Sequence, residues 1–216
     1  MRKVLVLSFT LVVLFSLVCT TFADDLVAPP WQRYSAGTTY ALWEFGTNDS
    51  PVAPDDWFNP NGMPMAIPVP GLFQAWWNEW GGRQGVWPLS GTINVGINNY
   101  ANNNPYKDIW IQLTWAQQTI NVFPIVKETT TNILAELVQR TPLGPTGMGV
   151  GDGMWYHDVY WIRMYPNPDF ENILIDGAVM VDQLVIDTIC VPEPASILAL
   201  LGGVAGIGGF ALRRRK

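Results

Sequence analysis

The stretch Lys107-Asp-Ile-Trp-Ile-Gln-Leu-Thr-Trp115 carries the most regular apolar pattern in the chain. Ile109, Ile111, Leu113 and Trp115 alternate with Trp110, Gln112 and Thr114, and a side-chain period of two is what a strand buried on one face requires. Ile93, Val95 and Ile97 repeat the pattern against Asn94, Gly96 and Asn98. The same criterion predicts strands at residues 38–45, 65–69, 120–126, 156–165, 172–176 and 179–189. The stretches between them, notably 98–105, 142–152 and 165–169, concentrate Gly, Pro, Asn and Asp, which supply the backbone angles of turns. Many short strands with such turns predict a mainly β chain: an antiparallel β-sandwich, jelly-roll-like, of about eight strands.

Two segments depart from the period. Leu72, Phe73, Trp76, Trp77 and Trp80 recur at helical spacing, and so do Ile133, Leu134, Leu137 and Val138 after Asn132, a residue suited to an N-cap. They predict one or two short helices on the sandwich, although tryptophan also favours strands and Gly81-Gly82 follow the first segment directly. Residues 51–70 hold six prolines, which predicts an extended wrap over a sheet edge.

Composition bounds the function. The chain has 216 residues, 49% hydrophobic and 14% charged, with a net charge of −6. That is too apolar for disorder and sufficient for one cored domain. Between Asp24 and Cys190 there are six Lys and Arg against 17 Asp and Glu, so no basic stripe exists to neutralise phosphates and nucleic acid is excluded as a partner.

The two ends read as addresses. In residues 1–23, Arg2 and Lys3 precede the apolar run 4–18, and Thr21-Phe22-Ala23 offers a small-residue cleavage site. This predicts a signal peptide handled by the Sec translocon and signal peptidase, with cleavage between Ala23 and Asp24. The domain then spans 24–190. At the other end Val191-Pro192-Glu193-Pro194 precedes an uncharged segment, 195–212, and then Arg213-Arg214-Arg215-Lys216. Eighteen residues give about 27 Å of helix, enough for a single C-terminal transmembrane helix, and the basic cluster stays on the cytoplasmic side. The body is thereby placed outside the cytoplasm.

Pro192-Glu193-Pro194, an apolar stretch and a terminal Arg cluster, in that order, closely resemble the PEP-CTERM sorting signal, over residues 191–216. The resemblance implies an exosortase-type membrane protease as partner, cutting near Pro192, Glu193 and Pro194 after transient anchoring in the inner membrane. It also implies delivery to the surface or exopolysaccharide matrix of a Gram-negative cell. Prolines keep this short stretch extended, where a protease can reach it. The body also resembles the β-rich part of other exported PEP-CTERM proteins, through 107–115 and through 182–190 running into the sorting motif. That likeness implies a β-sandwich and no activity.

The inventory for catalysis is thin. The body has one histidine, His157, and three serines, Ser35, Ser50 and Ser90. His157 and Asp158 are strand neighbours and point to opposite faces, so no His-Asp pair is expected. Glu44, Glu79, Asp158 and Glu171 are the carboxylates that a glycan-active enzyme would have to bring together on a concave sheet. Ligands for Cys or multiple-His metal sites are missing, while loops 48–50, 151–153 and 167–169 carry oxygen donors suited to structural calcium or to ordinary Asx turns. Cys190 remains as the one cysteine after signal removal, so no intrachain disulfide is expected.

All 11 tryptophans lie between Trp31 and Trp161. Trp43, Trp115 and Trp161 are expected in the core or half-buried against it, whereas Trp76, Trp77 and Trp80, beside Asn78, Glu79 and Arg83, offer an aromatic platform on which sugar rings could stack. The sequence thus predicts a non-catalytic structural or adhesive surface protein without cofactor, with carbohydrate binding through the Trp76 region as the alternative.

Overall fold

The computed structural model describes residues 24–69, 76–89, 91–99 and 104–191. The expected signal peptide, the expected transmembrane segment 195–212 and the expected processing residues Ala23, Pro192, Glu193, Pro194, Arg213, Arg214 and Arg215 lie outside the described residues, as do Leu72 and Phe73. Among the described residues no helix is long and apolar enough to cross a membrane.

The described residues form thirteen strands, in order: β1 Thr38–Trp43, β2 Asp56–Phe58, β3 Met65–Val69, β4 Trp77–Trp80, β5 Arg83–Leu89, β6 Thr92–Asn98 and β7 Tyr106–Gln117, then β8 Ile125–Glu128, β9 Ile133–Leu134, β10 Glu136–Pro145, β11 Met154–Met164, β12 Phe170–Asp176 and β13 Val179–Val191. All pairings are antiparallel. One sheet runs β10-β11-β7-β13-β1-β2, with β5 also on β13 and β4 on β5; the other runs β3-β6-β12-β8-β9. The last strand thus lies between β1 and β7, and β12 lies between β6 and β8.

The period of two holds where it was read. Ile109, Ile111, Leu113 and Trp115 of β7, with Leu184 and Ile186 of β13, face Ile93, Val95 and Ile97 of β6 and Ile173 and Ile175 of β12 in one shared core. Each such side chain contributes about 1.5–3 kcal/mol by leaving water, which is why register is fixed along the long β7–β13 ladder. The proline-rich segment supplies the edge strands β2 and β3, and Pro68 sits in β3, where a missing N–H costs least.

No helix forms where helical spacing was read, in the part of those segments that is described. Trp77–Trp80 is β4, because Gly81 and Gly82, at φ +60° and +77°, make a two-residue turn that pairs Trp80 with Arg83. Ile133–Leu134 and Glu136–Pro145 are β9 and β10. Asn132 caps no helix: at φ +56° it closes a hairpin from β8, whose turn is tied by Glu128 accepting from the Thr130 and Thr131 N–H groups at 2.8 and 2.7 Å. The count of about eight strands also fell short, since β2, β4 and β9 are short, β10 is an exposed edge, and Gly85 at φ +76° interrupts the regular pattern of β5. Ile120 to Pro124 are a connection, and only Ile125 and Val126 of the strand predicted at 120–126 pair, as the start of β8.

Candidate functional site

The outer face of the larger sheet is lashed down by the segment that signal removal would expose. Gln112 of β7 donates to Asp25 Oδ1 at 2.6 Å and accepts from Val27 N–H at 2.9 Å, while Trp110 donates its indole N–H to the Val27 carbonyl at 3.0 Å. Arg33 forks onto Asp187 of β13, and Asp24, expected at the mature N-terminus, is bound by Arg83. Arg83 also meets Asp182 at 2.6 Å, where the register shift between Val181 and Gln183 bulges β13. Burial lifts the Asp182 carboxyl to about 6 against the pull of Arg83. For Asp25 burial acts in the same direction, but the hydrogen bonds from Arg33 and Gln112 outweigh it and hold the carboxyl below its usual value. These contacts are those of a structural strap.

The three tryptophans of the expected platform occupy three environments. Trp80 is buried, edge-on to Trp155 with ring centroids 5.5 Å apart. Trp76 is half-buried against the core and donates its indole N–H to the Phe45 carbonyl at 2.9 Å. Trp77 alone is exposed, at 37%, and is followed by exposed Asn78 and Glu79 on β4. The period of β4 explains this, since residues 77 and 80 fall on opposite sides of a strand.

The four carboxylates weighed for glycan chemistry do not converge. Asp158 is buried under a bidentate pair with Arg140, at 2.8 and 2.7 Å, and accepts from Tyr160 at 2.8 Å. Glu171 pairs with Lys107, six positions along β7 from Leu113, the register partner of Asp158, which is about 20 Å of strand. Glu44 and Glu79 are exposed. His157 lies within β11, buried, with Thr114 at 3.1 Å and Gln112 at 3.2 Å on its two ring nitrogens and Asp158 on the opposite face. Burial pushes its pKa down, outweighing the pull of Asp24, Asp158 and Asp25. Among the described residues no three His, Cys, Asp or Glu side chains gather as a metal centre. In the loops singled out for calcium, Asp152 is engaged by Met154 N–H and the Tyr156 hydroxyl, and Asn167 by Asn99.

A cluster that sequence reasoning passed over lies at one end of the core. Lys107, at the head of β7, faces inward with no exposed surface, and its Nζ is 2.5 Å from Glu171 Oε1 and 2.9 Å from Asn99 Oδ1. Cys190 Sγ donates to the same Asn99 oxygen at 3.1 Å. The Asn99 amide nitrogen donates to Asn167 Oδ1 at 2.6 Å and to the Pro168 carbonyl. Burial pushes the Glu171 carboxyl up, against the pull of Lys107. The signal was present: one further step of each alternation, before Ile109, before Ile173 and after Ile97, places Lys107, Glu171 and Asn99 on the core face.

Fold and contacts define a mainly β protein of two antiparallel sheets, whose final strand ends at Val191. The family model of the PEP-CTERM protein-sorting motif matches residues 191–216, so the chain past β13 carries the signal of an exosortase substrate, which implies export and membrane-anchored sorting. No curated protein and no solved structure matches the chain.

Proposed function

We propose that this is a non-catalytic structural or adhesive protein of the cell surface or exopolysaccharide matrix, released to that location by exosortase processing at Pro192-Glu193-Pro194. The reading takes the two sheets as a β-sandwich of jelly-roll order, supported by the interleaving of β13 between β1 and β7 and of β12 between β6 and β8. The observation that carries it is the junction: the sorting match begins at residue 191, the last residue of β13, so the folded body runs directly into its sorting tail. Polar side chains weighed for chemistry are engaged with neighbours, as Asp158 with Arg140 and His157 with Thr114 and Gln112. The test is fractionation of cells producing the full chain, a chain lacking 192–216, and a Glu193→Ala variant. Surface or matrix recovery of the wild type, without residue 216, and retention of both variants in the envelope or periplasm is the expected result; equal release of all three would sink the reading.

Carbohydrate binding is the second reading, favoured by Trp77, an exposed indole with Asn78 and Glu79 beside it. Its site rests on one ring rather than three.

A further inference from the structure

The polar cluster at the end of the core has the composition and geometry of a self-modifying site. An amine, a primary amide and a carboxyl group lie in contact, and all three side chains are buried, Lys107 and Glu171 at 0% and Asn99 at 7% exposure. Lys107 is flanked in its own sheet by Met164 and Cys190, both buried, so the three groups meet away from bulk water. We propose that Lys107 and Asn99 join spontaneously in an intramolecular isopeptide bond, with Glu171 as the proton-transferring group.

The chemistry balances without a co-reactant. Lys107 passes its acidic proton to Glu171, 2.5 Å away, which leaves a neutral nitrogen with a free electron pair. A carbonyl bond is about 1.23 Å, so a nitrogen 2.9 Å from Asn99 Oδ1 lies within about 4 Å of Cγ, close to attack distance. Nζ bonds to Cγ, and the charge that develops on Oδ1 is met by the Cys190 S–H, which already donates to that atom. The Cγ–Nδ2 bond then breaks. One proton of the attacking amine moves by way of Glu171 to the departing nitrogen, which leaves as ammonia, and the other stays on the new amide. Nothing is oxidised or reduced. Burial favours the uncharged form of Glu171, the form that donates to the leaving group. Asn167 and Pro168 accept from the amide nitrogen and hold it in place.

The product would tie Asn99, the residue that follows β6 of one sheet, to β7 of the other beside Cys190, one residue before the sorting tail. A surface protein without disulfides would gain a covalent link that reductants cannot open.

The experiment is mass spectrometry of the purified, folded full chain. Trypsin should fail to cut after Lys107, so that residues 84–127 emerge as one peptide lighter by one ammonia, with no fragment ions from breaks between Asn99 and Lys107. Lys107→Met and Glu171→Gln, each checked for strand content by circular dichroism, should restore the full mass, while Cys190→Ser and hydroxylamine treatment should leave the link intact. Full sequence mass with ordinary cleavage after Lys107 in the folded wild type would overturn the proposal. So would an ammonia loss that persists in Lys107→Met, which is succinimide chemistry, or one abolished only by Cys190→Ser or hydroxylamine, which is a thioester.

Discussion

Arg33 grips Asp187 with two parallel hydrogen bonds of 2.6 Å each, across 154 positions of sequence. Asp187 has no exposed side-chain surface and lies on β13, so the pair fixes the N-terminal strap to the strand that leads into the sorting tail. Removing only the cation leaves a buried carboxylate without its counter-charge. Arg33→Ala is therefore expected to lower stability by roughly 3 kcal/mol in urea denaturation, and Arg33→Lys to recover only part, because a point charge cannot reproduce the fork. The Arg33→Met, Asp187→Leu double variant should lose less than Arg33→Ala, since Asp187 is then no longer buried alone, while Asp25 loses Arg33 in both and keeps Gln112. A double variant as unstable as the single one would mean that the strap is held by packing and not by this pair.

His157 predicts a pH dependence with a definite sign. Burial depresses its folded pKa below the ordinary value of 6.5, so the unfolded chain takes up the proton first as pH falls. The stabilising contribution is complete above about pH 6.5 and is lost on acidification toward the folded pKa, with a slope of at most about 1.4 kcal/mol per pH unit. His157→Gln keeps a hydrogen-bonding side chain between Thr114 and Gln112 and removes the titration. Urea midpoints of wild type and variant, compared from about pH 7.5 down to about 5, should converge as pH falls. Parallel curves would show that the imidazole does not titrate on unfolding.

The regular strands were legible because their physics is local: apolar residues alternate along β6, β7 and β12 and can be counted along the chain, with burial itself alternating in β6 and β12, while β7 and β13 are covered on both faces. The misread segments were those in which local pattern and long-range pairing disagree. Leu137 and Val138 suit a helix face, yet β10 pairs with β11 from Glu136↔Trp161 to Pro145↔Met154, and both residues remain exposed at that sheet edge. Trp76, Trp77 and Trp80 resembled one platform because sequence spacing does not say which side of β4 meets Trp155. Lys107, Glu171 and Asn99 could each be placed on a core face from sequence, but their meeting depends on β6 and β12 packing over β7, a relation that no single-strand pattern encodes.

Gly85 carries a backbone constraint that can be tested alone. It sits in β5 at φ +76°, and a Cβ there would lie 2.4 Å from the Phe45 carbonyl oxygen and 2.7 Å from that of Glu44. Both obstacles are backbone, so no side-chain rotation relieves them. Gly85→Ala combines left-handed strain with this clash and is expected to cost roughly 3 kcal/mol or more. Gly82, at φ +77° with open space around it, carries the strain without the clash, and Gly82→Ala should cost only about 1–2 kcal/mol. Equal thermal shifts for the two would show that β5 yields at Phe45.

Trp77 and Trp80 separate binding from folding. Trp80 is 7% exposed and packed edge-on to Trp155, so Trp80→Ala should lower stability by about 3–5 kcal/mol. Trp77, 37% exposed at the same hairpin, should cost less than about 1 kcal/mol when truncated. If the second reading of function holds, folded Trp77→Ala loses binding to the producing cell's exopolysaccharide that the wild type shows, and the exposed indole is the contact. If the wild type binds no glycan, or Trp77→Ala binds as well as wild type, the indole is not a sugar site, and the adhesive role must be carried by another surface.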